Sequence, residues 1–234
     1  MSNRRFKLTP HNNFDAEHGN TYKFGAHAPS ECGQFWYRWL PKDKHFIDMG
    51  EIPRSTISRL KSEFSKFNKL FKEPILFKNL NMGQRLRFIK EFAPDSKIIF
   101  IQRDPRFTIS SILKARRKVG IPDNVIWSVK PKNFKALEKL SEIEMCAAQV
   151  YYLEKQIKED LALFDKSNVK SIHYNDLSRD LVEELANWLC LEPKNNVVFP
   201  KFRKDRLDLL KQKDLIKLQS TVDNYNFDER VFVE

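Results

Sequence analysis

One strand-to-helix junction constrains this chain more than any other stretch. Lys97-Ile98-Ile99-Phe100-Ile101-Gln102 is a short, nearly continuous apolar run of the kind that forms a buried strand. It stops at Arg103-Asp104-Pro105-Arg106, and a helix is predicted at once, because proline suits a first helical turn. Ser110-Ser111 then puts hydroxyls one turn or more into that helix. An arginine at the carboxyl end of a strand, with a hydroxyl on the following helix, suits the gripping of a phosphate. Open α/β sheets bind ligands beyond the carboxyl ends of their strands, and helix N-termini add N–H groups and a favourable dipole.

The rest of the chain alternates in the same way. Pro53 opens a predicted helix that runs to about Phe71, with Ile57, Leu60, Phe64, Phe67 and Leu70 at helical spacing. Ile75-Leu76-Phe77 reads as a short strand ending at Lys78, followed by a helix from Gln84 to Phe92. After the junction helix, which runs through Arg117, residues 118–135 read as a loop. A long helix is predicted from Phe134 to Asp165, and Val169–His173 reads as a strand ending at Tyr174. Two more helices are predicted, over Asp180–Leu191 and Lys211–Tyr225.

This order implies an α/β fold, a central parallel sheet flanked by helices, in one domain over residues 1–234. Residues 1–25 are polar and are expected to be irregular. Three strands are few for such a sheet, so a first strand is expected to be absent. The aromatics Phe35, Trp36 and Trp39 could form core or a platform for a substrate; the pattern leaves both open.

Composition excludes several classes of function. The net charge of +11 favours polyanionic partners: nucleic acid, a small polyphosphorylated ligand or an acidic glycan. No nucleic-acid motif is present, and most aromatics fall on apolar periodic faces, so nucleic acid is not the expected partner. There are only six glycines, and neither GxGxxG nor GxxxxGK[ST] can be written anywhere, so a phosphate grip has to come from side chains. Cys32, Cys146 and Cys190 lie far apart, without a metal-ligand spacing, so no metal is expected and reduced, cytoplasmic thiols are. No apolar run is long enough to span a bilayer, and the first residues do not resemble a secretory signal.

Taken together, these motifs resemble the sulfotransferases that use PAPS (3′-phosphoadenosine 5′-phosphosulfate), including bacterial-type members. That resemblance implies a P-loop-NTPase-like sulfotransferase fold. In the family a strand ends in Arg-(Asp/Asn)-Pro-(Arg/Lys), with a serine eight residues after the first arginine. Arg103 and Ser111 match, and the resemblance implies that they hold the nucleotide 3′-phosphate. Pro74–Asn81 is similar to the family's strand ending in a lysine motif, which implies a charge-stabilising role for Lys78. His173-Tyr174-Asn175-Asp176-Leu177 is similar to its Tyr-Glu-Asp-Leu segment, which implies that Tyr174 contacts adenine. Lys201-Phe202-Arg203-Lys204 resembles the basic C-terminal segment, which makes Arg203 a further nucleotide ligand.

The implied reaction moves a sulfonate from PAPS to a hydroxyl or amine, without a metal. The chain departs from the family at two points. The Pro-Arg/Lys-Ser-Gly-Thr-Thr loop that wraps the 5′-phosphosulfate, with its strand and helix, has no counterpart in the sequence. A truncated, split or catalytically lost member is the expectation that follows. The histidine that some members place two residues after the lysine is Leu80 here, so His27 and Glu31 are the candidate bases. The rival reading is an inactive homologue that binds a nucleotide or a partner.

Overall fold

The structure is a computed structural model that describes residues 31–71, 74–191, 199, 202, 205, 210–225 and 227. In chain order its elements are α1 (Gly33–Trp36), α2 (Arg54–Phe71), α3 (Leu86–Phe92), β1 (Ile98–Gln102), α4 (Pro105–Val119), α5 (Phe134–Leu137), α6 (Glu142–Leu161), β2 (Val169–His173), α7 (Arg179–Trp188) and α8 (Gln212–Asp223). Among the described residues β1 and β2 form a parallel pair, in register from Ile98 opposite Val169 to Gln102 opposite His173. A parallel pair needs a crossover. Here that crossover carries α4, α5 and α6, so helices and a small parallel sheet build an α/β fold as the alternation predicts.

The junction helix α4 starts where its sequence says it should. Asp104 caps it by accepting the Arg106 N–H at 2.9 Å, with Pro105 next to it in the first turn. It ends at Gly120, whose φ of 75° is left-handed, behind Arg116, Arg117 and Lys118 in the last turn. Its apolar stripe of Ile109 and Leu113 packs on Cys146, Ala147 and Val150 of α6, and Leu218 and Val222 of α8 complete that core. The small side chains of Ala147 and Ala148, both fully buried, allow α6 a close approach to its neighbours.

A second core lies under α1, α2 and α3. Trp36, Leu40, Ile47, Leu60, Phe88 and Phe92 are buried there, and each large side chain contributes about 2 kcal/mol. Trp36 and Phe35 pack on Phe64 and Phe77, so the aromatic cluster is core in this fold. Arg85 is wholly buried within it. Its guanidinium donates to the carbonyls of Pro41 (2.9 Å), Lys44 (3.1 Å) and His45 (3.2 Å), which satisfies a loop that would otherwise bury its acceptors.

Two expectations are corrected. Ile75–Phe77 joins no strand ladder, so the described sheet has two strands and not three. Phe77 is drawn into the aromatic core, 5.1 Å from Trp36 between ring centres, while Leu76 is left 76% exposed. One anchored side chain fixes this segment in place of strand pairing. The long helix predicted from Phe134 to Asp165 is broken into α5 and α6. Ser141 stops it, because the Glu144 carboxylate accepts the Ser141 N–H at 3.2 Å in a capping box that starts a new helix.

Candidate functional site

The sheet register builds the site. Gln102 lies opposite His173, so the next residue on each strand, Arg103 and Tyr174, leaves the sheet side by side at its carboxyl end. The Arg103 guanidinium lies over the Tyr174 ring, 4.9 Å from its centre, a cation–π distance. Its Nη1 donates to Ser111 Oγ at a long 3.4 Å. Three residues predicted from the sequence therefore converge. Ser110, next to Ser111, is fully buried and donates to the Arg106 carbonyl at 2.7 Å, so the back-bonding hydroxyl and the one facing Arg103 are different residues.

Arg103 is paired, though not with its neighbour Asp104. Its Nε donates to Asp205 Oδ1 at 2.6 Å, and Nη2 contacts the same oxygen. Asp104 instead chelates Arg106, with Nε at 3.0 and 3.1 Å from its two oxygens. Burial works against ionisation of Asp104, but hydrogen bonds from the Arg106 side chain and backbone, with help from Arg103, hold its carboxyl below the usual range.

Arg103, Asp104, Arg106, Tyr174 and Asp205 stand on the wall of a cleft of about 820 Å³, together with Glu154 and Lys158 of α6, His173 and Asn175. Burial pushes the Glu154 carboxyl up to about 7, and Lys158 one turn further on opposes this only in part. Such a wall can hold a planar ring against Tyr174 and an anion against Arg103.

Lys78 and Glu31 form a second group, which does not line this cleft. The two pair with each other on the exposed surface. Asn79 Nδ2 donates to the Glu31 carbonyl at 2.7 Å and Asn81 Nδ2 to Tyr37 Oη at 3.2 Å, so the segment after Lys78 is stitched to the segment around Glu31. Leu80, at the position where some family members carry histidine, is 58% exposed and cannot take a proton. His27 and Arg203 lie outside the described residues.

A family model described as "Sulfotransferase family" matches residues 5–189. The chain belongs to the sulfotransferase family. Both groups of candidate residues in this sulfotransferase chain, except Arg203, fall within the matched span, whereas Asp205 lies beyond it. No curated protein and no solved structure gives a significant match. Among the described residues there is no group of side chains able to hold a metal ion, and no helix long and apolar enough to cross a membrane.

Sequence reasoning missed Asp205 and Glu154. Asp205 directly follows the basic run 201–204, and nothing local marks it as the partner of an arginine 102 residues away. Glu154 lies within a helical stripe and carries no local mark that it faces a cleft.

Proposed function

We propose that this sulfotransferase binds PAPS in the cleft at the carboxyl end of the sheet and transfers its sulfonate to a hydroxyl or amine. In this reading Arg103 and Ser111 hold the 3′-phosphate, and Tyr174 lies against the adenine. One observation carries the reading: Arg103, on the cleft wall, meets both the Tyr174 ring beside it on that wall and the Ser111 hydroxyl behind it, although the three come from three elements. The donor set also fits a phosphate. Arg103 spends two N–H groups on a single Asp205 oxygen and holds Ser111 only loosely, contacts that an anion with several oxygens can replace.

PAPS would supply the sulfonate and carry away negative charge on its bridging oxygen. Lys78 would steady that charge, as a fixed cation does in phosphoryl transfer. Glu31 would take the proton from the acceptor. The exposed Lys78–Glu31 pair contributes at most about 1 kcal/mol, so both side chains can separate to do this work.

Titration calorimetry with adenosine 3′,5′-bisphosphate tests the nucleotide half. Replacing the charged hydrogen bonds of Arg103 by alanine is expected to weaken binding at least about tenfold. An affinity for Arg103→Ala equal to that of the parent, with both proteins folded by thermal melting, overturns the reading.

A further inference from the structure

We infer that Asp205 is a built-in competitor for the anion that Arg103 binds, so that a phosphate enters the cleft by exchange with this carboxylate. The inference rests on the nucleotide reading above for the identity of the ligand, but not for the exchange itself.

Three observations point to exchange. The first is geometry. Arg103 Nε, at 2.6 Å, and Nη2 both contact Oδ1 of Asp205, so the carboxylate uses one of its two oxygens. A guanidinium presents a fork that two oxygens fill better than one. The second is satisfaction. The Asp205 side chain is only 4% exposed, and among the described residues its Oδ2 has no hydrogen-bond partner. A buried oxygen in that condition is costly, so the bound carboxylate is held less well than its burial suggests. The third is access. The Arg103 side chain is 30% exposed and stands on the cleft wall, so a solute reaches the guanidinium while Asp205 lies against it.

Charge makes the exchange necessary as well as feasible. The cleft wall carries three permanent cations, Arg103, Arg106 and Lys158, against four carboxyl groups, Asp104, Glu154, Asp205 and Asp223. Arg106 is already chelated by Asp104. With Asp205 on Arg103, the wall offers a dianion little net attraction. Once Asp205 leaves, the guanidinium becomes available, and Ser111 Oγ, at 3.4 Å, is positioned beside it. The ligand class selected is a phosphate monoester, which brings three terminal oxygens and two charges. A carboxylate only repeats what Asp205 already provides.

Asp205→Asn keeps the shape and removes the charge, and Asp205→Ser serves as a second variant should the first fold poorly. Two measurements on the full chain separate this inference from the nucleotide reading. In calorimetry, adenosine 3′,5′-bisphosphate is expected to bind the variant about tenfold more tightly than the parent, equivalent to about 1.4 kcal/mol. In the second, phenylglyoxal modification of Arg103, followed by peptide mass spectrometry without nucleotide, is expected to run several-fold faster in the variant and to be slowed by inorganic phosphate. Weaker or equal bisphosphate binding by the variant overturns the competitor role and makes Asp205 a positioning residue for Arg103. Equal modification rates in parent and variant overturn it as well. If neither protein binds the bisphosphate but modification accelerates and phosphate protects, the competitor stands and the nucleotide reading fails.

Discussion

Glu154→Gln is expected to make the protein more stable at pH 8 and to leave it unchanged near pH 4.5. Glu154 lines the cleft, and burial raises its carboxyl from the ordinary 4.5 to about 7. The folded state therefore holds this proton more tightly than the unfolded chain does. Between roughly pH 4.5 and pH 7 the folded protein binds more protons, so stability falls as pH rises through that window and levels off above it. The gap corresponds to about 3 kcal/mol. Glu154 is only half-buried, so water screens part of this and we expect about 2 kcal/mol. Glutamine keeps the shape without the titration. Urea denaturation of both proteins at pH 4.5, 6 and 8 reads the difference, in which contributions common to both proteins cancel. A difference that stays constant with pH, or grows toward acid, refutes the argument that this carboxyl is ionised at a cost.

Two further substitutions probe the site and its support. Tyr174→Ala is expected to weaken adenosine 3′,5′-bisphosphate binding about tenfold and Tyr174→Phe less than about threefold, because the ring face and not the hydroxyl does the stacking; equal losses in calorimetry would count against a stacked adenine. Gly83→Ala would bring a Cβ to 2.9 Å from Ile157 Cδ1 and 3.2 Å from Cγ1. It is expected to destabilise by about 2 kcal/mol in urea melts. In an Ile157→Val background, which lacks Cδ1, that cost should fall by about half, whereas strict additivity would show that the contact is not its source.

Much of this was legible in the sequence for a physical reason. The Ile98–Gln102 run, the Asp104-Pro105 cap and the apolar period of α4 are local signals that agree with one another, so strand, turn and helix appear where the sequence places them. Arg103 and Tyr174 could be paired in advance only through the family resemblance, because their contact depends on a register between strands about seventy residues apart. Ile75–Phe77 misled because three apolar residues look alike whether they enter a ladder or anchor on a core. Here the anchor, Phe77, prevails. The break at Ser141 was readable, since Ser-x-x-Glu before an apolar run is a helix start, but the surrounding helical period masked it. Asp205 was beyond reach, because nothing local marks a carboxylate as the partner of an arginine 102 residues away.

How the two groups of candidate residues are held relative to each other follows from α6. The turn of 3-10 helix over Leu80–Arg85, which starts two residues after Lys78, docks on one face of that helix. Gln84 Nε2 donates to the Leu153 carbonyl at 3.2 Å, and Gly83 lies against Ile157. Two residues past that turn, Arg87 Nε reaches Asp160 Oδ1 at 2.8 Å. Leu153, Ile157 and Asp160 recur at helical spacing, so these contacts run along one stripe. Glu154 and Lys158, each one position further on, sit on the adjoining stripe and wall the cleft beside Arg103. One rigid helix therefore carries the Lys78 segment on one face and the cleft on the next. In the proposed reading the donor's two ends must reach Arg103 and Lys78 together, and α6 sets the span between them. A side chain forced in at Gly83 would push the Lys78 segment away from α6 while leaving Arg103, Ser111 and Tyr174 where they are. Gly83→Ala should then cost sulfonate transfer more than bisphosphate affinity, the opposite of what Arg103→Ala should do.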